Sequence, residues 1–130
     1  MTGAAIPDEL RRFLLSGALS VPHVEAILQL RRGAGQPCSA QALAARIYVR
    51  TARAAELLTE LCEIGVARLL ESEPPCYLYA PATAELAGLL DALEYAYGAQ
   101  LVAVTRLIHS AEERKALNFA AAFRLRKDPT

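Results

Sequence analysis

Three arginines, Arg46, Arg50 and Arg53, fall close together, and no acid interrupts the stretch from Ser39 to Ala55. A guanidinium is a permanently charged planar fork that suits a phosphate or a guanine edge. Tyr48 and Thr51 lie among these arginines and add hydroxyls, so the chemistry this cluster can do is to grip a polyanion. Glu56 would sit near the phosphates, and Ala52 and Ala55 offer no hydrogen bond. The competing reading is a solvated helix face, with Tyr48 a half-buried turn residue.

Reaction chemistry finds less support. His109 and Ser110 are adjacent, and neighbours on a chain rarely face each other, so they do not read as a base and its nucleophile. Asp91, Glu94 and Glu85 fall on one helical segment, and a raised carboxylate pKa would need burial that nothing in the pattern suggests. The three cysteines, Cys38, Cys62 and Cys76, form no C-x-x-C pair, and with only His23 and His109 there is no zinc spacing. Cys62, beside core leucines, is expected to be a buried inert thiol, and Cys38 and Cys76 to be more reactive loop thiols. His23 is expected at a surface or interface, and Tyr95 and Tyr97 in interface packing. Neither an enzyme nor a cofactor is expected.

The charge balance limits the partners. Lys plus Arg equals Asp plus Glu, so the formal net charge is zero over 130 residues. Nucleic-acid affinity must then come from local asymmetry. Hydrophobic residues make up 54% of the chain, with few aromatics and no Trp. Ala, Leu, Arg and Glu favour helix. Met1 to Ile6 lack the basic and apolar regions of a leader, and apolar runs stop short of the ~20 residues a membrane span needs. The expectation is a reduced, cytoplasmic protein with no membrane partner.

Around the arginines the pattern reads as a series of short helices. Pro7-Asp8 opens a segment with Leu10, Phe13 and Leu14 on one face and Gly17 as its stop. Ser20-Val21-Pro22 starts a second, in which Val24, Ile27, Leu28 and Arg31 repeat at helical spacing. Ser39 is an N-cap for a third, with Leu43, Ala44 and Ile47 inward. The turn Tyr48-Val49-Arg50 leads to a helix from Thr51 to Ile64 carrying Ala54, Leu57, Leu58 and Leu61, ended by Gly65. Val66–Leu70 and Tyr77–Tyr79 read as strands joined by a loop with Glu71, Glu73, Pro74 and Pro75. Thr83 caps a helix predicted to run to His109, about seven turns. Ser110-Ala111-Glu112-Glu113 has capping-box spacing, so a separate last helix is expected there.

The stretch Ser39 to Tyr79 resembles the bacterial MarR-like and PadR-like winged helix-turn-helix regulators. Leu43-Ala-Ala-Arg-Ile-Tyr-Val49, Leu57, Leu61 and Gly65 carry the likeness, and the long apolar segment after Tyr79 is similar to a PadR-like dimerisation helix. The resemblance implies a mostly α fold with a small β-wing, a winged helix-turn-helix plus a long C-terminal helix. It implies a DNA-binding transcriptional regulator that contacts double-stranded DNA through Arg46, Tyr48, Arg50, Thr51, Arg53 and Arg68. Residues 1–81 would form the winged-helix domain with its N-terminal helix, and 82–130 a helical dimerisation region.

Self-association is expected through Leu86, Leu90, Leu93, Tyr97, Leu101, Val104, Ile108, Phe119 and Phe123, which are too many apolar residues for one face of a small monomer, unless the N-terminal segment from Leu10 to Leu15 covers the second stripe within one chain. Two-fold pairing would set two reading heads about 34 Å apart. The alternative is a protein-interaction module on the same scaffold, favoured by zero net charge, the acidic wing loop and the alanine-rich face.

Overall fold

The computed structural model describes residues 6–127, with side chains to Phe123. Met1 to Ala5 lie outside the described residues, as do the side chains from Arg124 onward. The elements are α1 (Asp8–Leu15), α2 (Val21–Arg32), β1 (Cys38–Ser39), α3 (Ala40–Ile47), α4 (Thr51–Glu63), β2 (Ala67–Leu70), β3 (Cys76–Tyr79), α5 (Ala84–Ala99) and α6 (Leu101–Lys127). The chain is mostly helical with a small three-stranded antiparallel sheet in the order β1-β3-β2. No described helix is long and apolar enough to cross a membrane. The described residues form two compact units, one spanning Val21–Glu94 and the other combining the segment before Val21 with that from Tyr95 onward.

In the Val21–Glu94 unit, Val24, Ala26, Ile27, Leu28 and Leu30 are buried on α2, Leu43, Ala44 and Ile47 on α3, and Ala54, Leu57, Leu58 and Leu61 on α4. Ser39 caps α3 as its residue type predicts, its Oγ accepting from the Ala42 N–H at 3.1 Å. Gly65 ends α4 at φ 87°, a left-handed conformation that glycine adopts without steric cost. Its carbonyl then accepts from the Ala82 N–H at 2.8 Å. A Cβ at Gly65 would stand 3.2 Å from Ala82 Cβ, a second reason for glycine there.

The two expected strands pair antiparallel, Ala67 opposite Tyr79 and Leu70 opposite Cys76. The short strand β1 is not foreshadowed in the sequence pattern. It pairs Cys38 with Tyr77 and Ser39 with Cys76, so the two cysteines expected in loops are strand residues. Burial pushes the Cys38 thiol up, against the opposing pull of Arg46. Cys62 is half-buried rather than enclosed, and burial raises its thiol too.

In the other unit, α1 packs on α6, with Ile6, Leu10, Leu14, Leu19, Val104, Ile108 and Ala111 buried. Lys115 Nζ donates to the Gly17 carbonyl at 3.0 Å. The helix predicted from Thr83 to His109 is two helices, interrupted at Gln100. Thr83 does cap the first, accepting from the Leu86 N–H at 3.0 Å. Gly98, a weak helix former, stands just before the break, although Gly88 is accommodated inside α5. The helix start predicted at Ser110 is absent, because α6 continues through it. Burying both Ile108 and Ala111 requires an unbroken helical phase across Ser110, and packing overrides the local capping signal.

Candidate nucleic-acid interface

The turn between α3 and α4 sets the candidate site. Tyr48 is the C-cap of α3 at φ 61°, ψ 47°, and the Ala44 carbonyl accepts there from the Tyr48 and Val49 N–H groups. A non-glycine residue in the left-handed region costs about 1–2 kcal/mol. The same turn leaves the Tyr48 side chain 92% exposed, where the sequence allowed a half-buried one.

Arg46 and Arg50 flank Tyr48, both exposed. The Arg46 guanidinium donates from Nη1 to Cys38 Sγ at 4.0 Å, on a residue that is otherwise exposed. Arg50 is the N-cap of α4 in an extended conformation and gives its helix no side-chain cap. The first turn of α4 contains no acid. Its N–H groups therefore point outward beside Thr51, at the positive end of the helix dipole. Arg46, Tyr48, Arg50, Thr51 and the α4 N-terminus thus meet on one turn.

Two members of the predicted set stand apart. Arg53 is half-buried and donates to Glu56 Oε1 at 3.2 Å, one helical turn along. Arg68 lies exposed on β2, opposite Leu78. The loop after β2 exposes Glu71 and Glu73, and Ser72 Oγ donates to the Pro74 carbonyl at 2.7 Å. A shallow depression there is lined by Leu69, Glu71, Ser72, Glu73 and Pro75.

The residues expected to dimerise also divide. Leu90, Leu93, Val104 and Ile108 are fully buried within the single chain, and Leu86 and Tyr97 are half-buried. Leu101, Phe119 and Phe123 remain exposed.

The strongest charge cluster lies elsewhere. Arg31 donates to Asp91 Oδ1 at 2.5 Å and to Glu94, and Arg32 Nε donates to Glu94 Oε2 at 3.1 Å. The hydrogen bond to Asp91 leads in raising the Arg31 pKa. Burial alone would raise the Glu94 carboxyl, but bonds from Arg32 and Arg31 outweigh it and hold it below its ordinary value. Burial pushes the nearby Tyr79 phenol up, against the lowering effect of Arg31. Its Oη is buried, with no partner in hydrogen-bonding geometry among the described residues. A sequence signal for this cluster exists: Arg31 ends the apolar stripe of α2, and Asp91 and Glu94 share a face at i,i+3. His23, expected at a surface or interface, is buried between helices, with Nε2 2.5 Å from Glu60 Oε1, joining α2 to α4.

No protein-family model matches the chain, and no curated protein matches it.

Proposed function

We propose that the chain is a DNA-binding transcriptional regulator of winged-helix type that acts as a homodimer. The element order from α2 to β3, with β1 beside β3 and β3 beside β2, supports the winged-helix reading, in which α4 enters the groove and the β2–β3 hairpin is the wing. The observation that carries DNA binding is the α3–α4 turn. There Arg46 and Arg50 bracket an exposed tyrosine at a helix N-terminus without a side-chain cap. That combination suits the phosphate backbone, where cationic side chains and helix N–H groups position a protein. With Arg53 engaged by Glu56, base reading by α4 is weak, and the interactions are chiefly with phosphate.

The acidic hairpin favours a second reading, a protein-interaction module. Glu71 and Glu73 at its tip would repel a phosphate backbone and suit a basic partner surface. Fluorescence anisotropy of pooled duplex DNA at 50 and 200 mM salt separates the two. Neutralising two to three phosphates per chain should make binding about tenfold or more weaker at the higher salt. No binding at either salt concentration would transfer the function to the protein partner.

A further inference from the structure

Tyr48 is a poor residue for the α3–α4 turn considered alone. The turn holds it in the left-handed region, at φ 61° and ψ 47°, where a Cβ costs energy and glycine or asparagine fits best. At 92% exposure almost none of the side chain packs on the chain to offset that cost. The ring is left open to a partner, and its neighbours indicate which one. Arg46 and Arg50, two residues to either side, are exposed, and no acid stands in the first turn of α4. A ring between two guanidinium groups matches the parts of a nucleotide strand: the cations suit phosphates, and the ring suits a base face, on which stacking is tolerant of sequence.

Groove reading offers little beside this. Ala52 and Ala55 carry no hydrogen-bonding group, Arg53 is engaged by Glu56, and the β2–β3 hairpin exposes Glu71 and Glu73 where a phosphate backbone would run. In an intact duplex each base face is covered by the next base pair, so a ring on the protein surface meets only sugar and phosphate. An unpaired base has a face to give, and unstacking it costs least. We propose that Tyr48 stacks on an unpaired base, and that the preferred ligand is duplex DNA interrupted by an unpaired nucleotide, with Arg46 and Arg50 on the phosphates to either side. The inference rests on the DNA-binding part of the proposed function and narrows its ligand, and it does not require the homodimer.

Fluorescence anisotropy of the full chain at 50 mM salt tests it with three duplexes of one sequence. One is fully paired, one carries a single unpaired adenine, and one has an abasic nucleotide in place of that adenine. The wild type should bind the unpaired-adenine duplex about fivefold or more tightly than either of the others, the scale of one base stacked on an aromatic side chain. The abasic duplex bends as easily but has no base face, so it separates stacking from deformability. Tyr48→Phe should keep the preference, because it keeps the ring, and Tyr48→Ala should bring the affinity ratio to about one. With 2-aminopurine at the unpaired position, fluorescence should fall on binding wild type and Tyr48→Phe but not Tyr48→Ala. Equal wild-type affinity for the unpaired-adenine and abasic duplexes, or a preference that survives in Tyr48→Ala or is lost in Tyr48→Phe, would overturn the stacking and leave DNA binding standing. No binding to any of the three duplexes would overturn both.

Discussion

Two groups of arginines carry charge in the Val21–Glu94 unit, and they are used in opposite ways. Arg31 and Arg32, at the end of α2, are engaged by Asp91 and Glu94 on α5. Arg46 and Arg50, on either side of the α3–α4 turn, are exposed beside a helix N-terminus without a side-chain cap. The first group holds helices together, and the second is open to a partner. What separates the two groups is the carboxylate opposite, so arginine number and spacing alone do not distinguish a scaffold from a site.

The largest effect that breaks the comparison is expected at Arg31. Arg31→Ala strips Asp91 and Glu94 of a charged donor and should lower stability by about 2 kcal/mol, the scale of a charge-assisted hydrogen bond pair near a surface. DNA affinity should change little, which chemical unfolding and anisotropy on the same sample would check.

Next comes the Arg46→Ala, Arg50→Ala double variant. It should keep wild-type stability within about 0.5 kcal/mol, as exposed substitutions do, and bind duplex DNA about tenfold or more weakly at low salt. Loss of stability there would mean that these arginines are structural too.

Tyr48 sharpens the contrast by opposing signs. Tyr48→Gly relieves the left-handed backbone and should raise stability by up to about 1 kcal/mol, less what glycine loses in unfolded-state entropy. It should also weaken DNA binding, as expected where strain is kept at a functional site. Thermal unfolding and anisotropy in parallel would show the two signs.

The α2–α5 cluster should also respond to acid. The Glu94 carboxyl sits below its ordinary value of 4.5 in the folded protein. Its contribution is therefore complete above the unfolded value and is lost as pH falls through the folded one. The stability difference between wild type and Glu94→Gln should be full at neutral pH and vanish in strong acid. Urea unfolding at the two extremes measures it.

The smallest effect is expected at Glu56. Glu56→Gln releases Arg53 and removes a negative charge from the α4 face, so DNA affinity should rise a few-fold, which the same anisotropy titration would detect.

Most of the helical framework is legible in the sequence because its signals are local. Ser39, Thr83 and Gly65 mark helix ends by mechanisms that act within a few residues, and the apolar stripes of α2, α3 and α4 are buried as their spacing implies. Where long-range packing decides, the local signals mislead. Ser110 has the spacing of a cap but lies inside α6, because Ile108 and Ala111 must share one buried stripe. The pairing of β1 with β3 joins residues nearly forty apart, and a two-residue strand has no period to read. At the candidate site, Arg46, Tyr48, Arg50 and Thr51 stand out by residue type alone. The left-handed Tyr48 does not, since it depends on how the turn closes, whereas the Arg53–Glu56 pair follows from i,i+3 spacing within α4.

The central claim is that the open arginines bind the DNA backbone. The most direct measurement is the dependence of duplex affinity on salt, for wild type and for the Arg46→Ala, Arg50→Ala double variant. The logarithm of the wild-type association constant should fall linearly with the logarithm of salt concentration. The double variant should show a slope shallower by about 0.9 for each phosphate it no longer neutralises, close to 2 per chain. Equal slopes for the two proteins, or no measurable wild-type binding at low salt, would contradict the claim.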